Sequence, residues 1–303
     1  MTAPSPTIRA LLTGLIDYAG LFPPAGLAMV PAVRNYADYR NGDDAWALGR
    51  FIVPSSRLDE FEGAAAAHLP QEGDTAPWLI SMLGGVDPGH DAELVFDFNE
   101  RHARRAAGQV AIDTLEVKAT NAETITRLVR SAPDHVRVFV EIPVNDDPEA
   151  LLSAIRDAGA SAKIRTGGVT ENAFPSAGEV TRFLLTAARI GVPFKATAGL
   201  HHPLRGEYRL TYEPGSVIAP MYGFLNIFMA AAAARQGADH RTVRRMLEEG
   251  GSSAFEFDAD SVAWSDGHAR AEDIEAMRRE FGISFGSCSF TEPMDDLRSM
   301  ELL

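Results

Sequence analysis

The stretch VRVFVEIPVNDDPEALLSAIRDAGASAKIRTGG, residues 136–168, holds one complete strand, helix and strand. Residues 136–144 are rich in Val, Ile and Phe and predict a strand. Asp147-Pro148-Glu149 then supplies an N-cap, an N1 proline and an early acid for a helix that ends at Gly159. Residues 161–168 predict a second strand running into a Gly-Gly turn. The same beat recurs along the chain: candidate strands lie at 14–22, 46–54, 77–85, 113–120 and 192–200. Between them Asn121 precedes the helical AETITRLVRSA, and Pro175-Ser176 precedes GEVTRFLLTAARIG. Alternating strands and helices imply a parallel sheet. With 281–290 as an eighth strand the expected fold is an α/β (β/α)₈ barrel. A doubly wound open sheet is the runner-up, but no GxGxxG follows the first strand.

Residues 201–281 break the rhythm. HHPLRGEYRLTYEPG reads as a long loop, followed by an apolar helix near 223–236 and a second helix, HRTVRRMLEEG. FEFDADSVAWSDG reads as a hairpin with a polar turn, and ARAEDIEAMRREFG as another helix. No low-complexity linker sets this region apart. The expectation is one barrel domain over 1–303, with 201–281 inserted between strands seven and eight and packed on the barrel, and EPMDDLRSMELL as the closing helix.

The 303 residues are 46% hydrophobic, enough for a large core, and the net charge of −14 argues against nucleic acid and for a small-molecule ligand. A single cysteine, Cys288, allows no intrachain disulfide, and a cytoplasmic location is expected. No signal-like or membrane-spanning apolar run is found. The longest candidate, 223–237, is interrupted by Asn226 and reads as a buried helix, although its apolar run 223–234 would also suit the interface of a homo-oligomer.

The strand faces carry an unusual charge pattern. Side chains alternate along a strand, so Lys163 and Arg165 share a face, as do Glu116 and Lys118, and as do Lys195, Thr197 and Gly199. Glu141 lies late in its own strand. These residues cluster at the C-terminal ends of strands four to seven, where barrel enzymes carry their sites. A buried lysine needs a carboxylate partner or a lowered pKa. A lysine beside a second cation in a desolvated pocket yields a neutral amine able to form a Schiff base. The competing structural account is an ion-pair network filling the barrel top.

Two motifs here resemble the second half of deoxyribose-phosphate aldolase barrels, which are class I (Schiff-base) aldolases. Lys163-Ile-Arg-Thr166-Gly167 matches the family's Lys-x-x-Thr-Gly, which bears the Schiff-base lysine, and Phe194-Lys195 before a small-residue turn matches the segment whose lysine tunes the first. More weakly, Glu116 falls where the family has a proton-relay aspartate, and Phe285-Gly286-Ser287-Cys288-Ser289 resembles the turn that helps hold the substrate phosphate. Gly168 stands where the family has a lysine, Ala198 replaces a glycine and Arg165 replaces a small polar residue. The resemblance therefore implies scaffold and amine chemistry, not substrate.

On this reading Lys163, Lys195, Glu116 and Glu141 are the catalytic candidates. Arg165, Thr166, Gly167, Gly168, Thr197, Gly199, His201, Gly286, Ser287, Ser289, Asp17 and Lys118 are candidates for binding a small carboxylate or phosphate. No cofactor or metal is called for. Two further classes stay open: a metal-dependent hydrolase or lyase, using His201 or His202 with Glu116, Glu141 and Asp17, and a noncatalytic barrel that binds a small acid. Cys288 reads as a buried small hydrophobe rather than a nucleophile.

Overall fold

The computed structural model describes residues 4–70, 76–103, 109–265 and 267–303. Its elements run α1 (Pro6–Leu12), β1 (Ile16–Tyr18), α2 (Met29–Asn41), β2 (Leu48–Pro54), α3 (Leu58–Ala65), β3 (Trp78–Leu83), α4 (Pro88–Ala103), β4 (Val110–Lys118), α5 (Ala122–Ser131), β5 (Arg137–Glu141), α6 (Glu149–Asp157), β6 (Ser161–Arg165), α7 (Ala177–Ile190) and β7 (Phe194–Thr197). There follow β8 (Gly206–Arg209), β9 (Ile218–Met221), α8 (Phe224–Arg235), α9 (His240–Glu248), β10 (Glu256–Phe257), β11 (Ser261–Trp264), β12 (Gly267–Arg270), α10 (Ala271–Glu280), β13 (Gly282–Ser287) and α11 (Thr291–Ser299).

Strands β1 to β7 and β13 close into an eight-stranded parallel barrel, with β13 pairing β1 on one side and β7 on the other. Seven of these strands fall inside a stretch expected from the sequence, and β4 overlaps its stretch, 113–120, but starts three residues earlier, at Val110. The helix signals hold as well: the Asn121 side chain accepts from Thr124 N, and Ser176 with Glu179 forms a capping box on α7. The first helical residue of α6 is Glu149 rather than Pro148, and its N–H donates to Asp147 Oδ1.

Between β7 and β13 two expectations are corrected. Residues expected as a long loop contain an antiparallel hairpin, β8 with β9, because the Pro214-Gly215 turn, with Gly215 at φ 81°, folds the chain back so that Gly206–Arg209 meets Ile218–Met221. The expected hairpin near 255–265 is a three-stranded sheet, β10, β11 and β12. Asp266, in its polar turn, lies outside the described residues.

Helix α8 is buried on every face, from Phe224 to Ala234. It is covered by α7, α9, α10 and β13 of its own chain, which removes it as an oligomer interface. Its one polar interior residue, Asn226, is fully buried and fully used: Nδ2 donates to Met246 O and Glu249 O, both at 2.7 Å, and Oδ1 accepts from Arg205 N at 2.8 Å. The amide thus ties α8 to the end of α9 and to the segment leaving β7. Among the described residues no helix is long and apolar enough to cross a membrane.

Replacing Asn226 with Leu keeps the volume but strands one buried donor and two acceptors. A loss of about 3 kcal/mol is expected, read as a lower urea midpoint with unchanged slope.

Candidate active site in the barrel mouth

The inward-facing residues of β1, β4, β5, β6 and β7 build one chain of alternating charge. Lys195 Nζ donates to Asp17 Oδ2 at 2.6 Å and to Glu116 Oε1 at 2.5 Å. The second oxygen of Glu116 takes Lys163 Nζ at 2.7 Å, and Lys163 continues to Glu141 Oε2 at 2.9 Å. Lys163 and Lys195 are direct register partners on β6 and β7. Two ammonium groups so placed repel unless an anion lies between them, and Glu116 gives one oxygen to each. Hydroxyls orient the acids: Ser81 donates to Glu116 and Ser284 to Asp17, while Arg50 N donates to Asp17 Oδ1.

Burial separates the two lysines. The Lys195 side chain is fully enclosed, whereas Lys163 ends in the wall of a cavity of about 240 Å³. That cavity opens at the C-terminal ends of the strands and is also lined by Phe22, Ile52, Leu83, Glu116, Arg165 and His201. Gly168, Thr197, Gly286 and Cys288 are also in the wall. The site is where barrel geometry puts it.

Electrostatics corrects one expectation. The Lys163 pKa is raised, not depressed. Burial pushes the Lys163 amine down, but Glu116 and Glu141 outweigh it, so the group sits above the ordinary lysine value and is an ammonium at neutral pH. Burial alone would raise the Glu116 pKa, yet Lys163 and Lys195 hold it far below the usual carboxylate range. Glu141 is likewise lowered: burial opposes ionisation, and Lys163, Arg165 and Lys118 overcome it.

The remaining candidates divide into those at the cavity and those with other work. Arg165, half exposed, places Nε 3.4 Å from Glu141 Oε1. Lys118 also reaches Glu141, at 3.2 Å, but faces a neighbouring groove of about 610 Å³ that shares only Glu141 and Arg165 with the Lys163 network. Asp17 is a buried counter-ion beneath the cavity, not part of its wall. The Thr166 hydroxyl donates to Ala198 O at 2.8 Å, holding Ala198 and Gly199 in the left-handed region at φ 67° and 72°. Gly167 and Gly199 pack on each other: a Cβ on either would lie 3.0 Å from the other's Cα, so their small size serves the contact of two turns.

The hydroxyls of the last-strand turn are also engaged. Ser289 Oγ accepts from Glu292 N at the start of α11, and the buried Ser287 Oγ accepts from Ser289 N at 3.4 Å. Only Gly286 and Cys288 of that turn reach the cavity. His202 Nδ1 lies 2.6 Å from Asp296 Oδ2, outside the cavity wall. His201 lies in the wall, with Nδ1 facing Cys288 Sγ at 3.8 Å and Glu292 Oε2 at 3.6 Å. Among the described residues no group of three or more His, Cys, Asp or Glu is arranged to hold a metal ion.

Sequence reasoning missed Ser81, Ser284, Tyr212 and Glu292. Ser81 had a signal, a lone hydroxyl among the apolar residues of its strand, and Ser284 a weaker one, as one of two serines in β13. Tyr212 and Glu292 had none, because a long connection and the last helix bring them together, with Tyr212 OH donating to Glu292 Oε2 at 3.0 Å. No protein-family model matches this chain, and no characterised protein matches it significantly.

Glu116→Gln leaves two buried ammonium groups short of a counter-ion, and a loss of about 3–5 kcal/mol is expected. Because the folded-state pKa of Glu116 is depressed, its contribution is complete above the ordinary value of 4.5 and is lost as the pH falls below it. Urea midpoints from pH 7 to pH 3 should therefore fall more steeply for the wild type than for the variant.

Proposed function

We propose that the protein is a class I aldolase-like lyase that forms a Schiff base through Lys163 with a small anionic carbonyl compound. One observation carries the reading: of two interior lysines, one is locked out of reach and the other ends at a cavity between two carboxylates. The resting ammonium is no obstacle. An ammonium and a carbonyl become a protonated iminium and one water with no change in net charge, so the carboxylates that stabilise the first also stabilise the second. Glu141 or Glu116 needs to hold the amine proton only in transit, while nitrogen attacks carbon and the carbinolamine loses water. The iminium then accepts the electron pair of the breaking carbon–carbon bond.

Arg165 lies two residues beyond Lys163, about 7 Å along the strand, and presents a planar fork suited to a carboxylate or phosphate. A substrate whose anionic group lies a few bonds from its carbonyl fits that spacing. We read residues 201–281 as an insertion that carries His201 and Tyr212 to the barrel rim. The metal-dependent reading has less support, since Asp17 and Glu116 hold lysines and the two histidines face separate partners.

The test is borohydride reduction in the presence of pyruvate, hydroxyacetone or acetaldehyde, followed by intact-mass and peptide mapping. One adduct on Lys163, absent from Lys163→Met, is expected. A protein that stays unmodified across all three compounds is not a Schiff-base enzyme, and a noncatalytic barrel would then describe it better. Arg165→Ala should raise the half-saturating pyruvate concentration about 10-fold or more, as expected for losing a charge-assisted hydrogen bond, and leave that for acetaldehyde unchanged.

A further inference from the structure

Carbon–carbon bond cleavage beside an iminium requires a group that takes a proton and returns it to carbon. Glu116 is poorly placed to be that group. Both its oxygens accept ammonium protons, one accepts the Ser81 hydroxyl as well, and Lys163 and Lys195 keep it strongly acidic. Glu141 is similarly surrounded by Lys163, Lys118 and Arg165. Apart from these, the cavity wall offers Arg165, which stays charged, the Cys288 thiol, which burial pushes up, and His201.

His201 is 8% exposed, and what it exposes faces the cavity. Its Nδ1 edge faces Glu292 Oε2 at 3.6 Å and Cys288 Sγ at 3.8 Å, a setting that favours the tautomer with the ring proton on Nδ1, toward the carboxylate. Nε2 makes no hydrogen bond to any described residue and carries the lone pair. Burial, and secondarily His202, pushes the imidazole down to about 4, which leaves it neutral at pH 7. Glu292 of α11 and Cys288 after β13 face its Nδ1 edge, and Tyr212 of the β8–β9 turn contacts both of them; neighbouring His202 pairs with Asp296 of α11, and Lys163, Arg165 and Glu116 line the same cavity.

From this arrangement we infer that His201 Nε2 is the acid-base group of the carbon chemistry, acting on the Lys163-bound intermediate with Glu292 positioning the ring. This rests on the Schiff-base reading of Lys163. In the cleavage direction the β-hydroxyl proton passes to Nε2, the carbon–carbon bond breaks into the iminium, and an aldehyde and a neutral enamine remain. The imidazolium then returns its proton to the enamine carbon and restores the iminium for hydrolysis. Run without a second carbonyl compound, the same group removes a proton from the carbon next to the iminium and gives back one from solvent.

Deuterium exchange therefore reports on His201 separately from adduct formation. Wild type incubated with pyruvate or hydroxyacetone in D₂O should exchange the protons beside the carbonyl, followed by NMR. His201→Gln should still form the borohydride-trapped Lys163 adduct, which also certifies its fold, while exchange falls about 100-fold or more. An adduct with undiminished exchange overturns the role of His201 and leaves the Schiff base standing. A wild type without adduct removes both. Should His201→Gln form no adduct, the wild-type pH profile decides: exchange that fades as the pH drops toward 4 supports His201, and a profile with no acid limb overturns it.

Discussion

A single carboxylate, Glu116, lies between two lysines, and the interior of the barrel is arranged around it. Asp17, Lys195, Glu116, Lys163 and Glu141 come from β1, β7, β4, β6 and β5 and alternate in sign. Any one of them buried alone would cost several kcal/mol. Together, with Ser81 and Ser284 filling remaining acceptor positions, they form a complete set. A one-residue slip of any of these strands would turn its charge from the interior to the helix layer. The network therefore fixes register as well as chemistry.

The same arrangement sets what the site can do. Two lysines at equivalent heights on neighbouring strands differ because one is walled in by Asp17 and Glu116 while the other reaches open space. The carboxylates surrounding Lys163 favour a cation there. Activation by a neighbouring cation, which the paired lysines suggest, is overridden by the greater proximity of two acids. His201 stands outside this ionic chain but within the same cavity wall.

The turns above the barrel serve packing more than binding. Thr166 secures the left-handed Ala198-Gly199 pair, and Gly167 fits against Gly199. Ser287 and Ser289 hold the start of α11. Arg165, from β6, lines the same cavity as Gly286 and Cys288 of that last turn, whereas Lys118, from β4, faces the neighbouring groove.

The order of elements was legible in the chain because local chemistry dictates it. Val-rich strands, Asn121 and Ser176 caps and the glycines that end helices act over a few residues, and seven of the eight barrel strands lie within the stretches that pattern marked, β4 alone starting earlier, at Val110. The charged residues at strand ends were equally visible, since alternation assigns Lys163, Arg165, Glu116 and Lys195 to faces without any knowledge of contacts. Which acid meets which amine, that Lys195 is sealed while Lys163 is not, and that Tyr212 and Glu292 join His201 from distant segments were decided only by closure of the barrel. Those contacts span many tens of residues in sequence, and their energies depend on distance and burial, which alternation along a single strand does not encode.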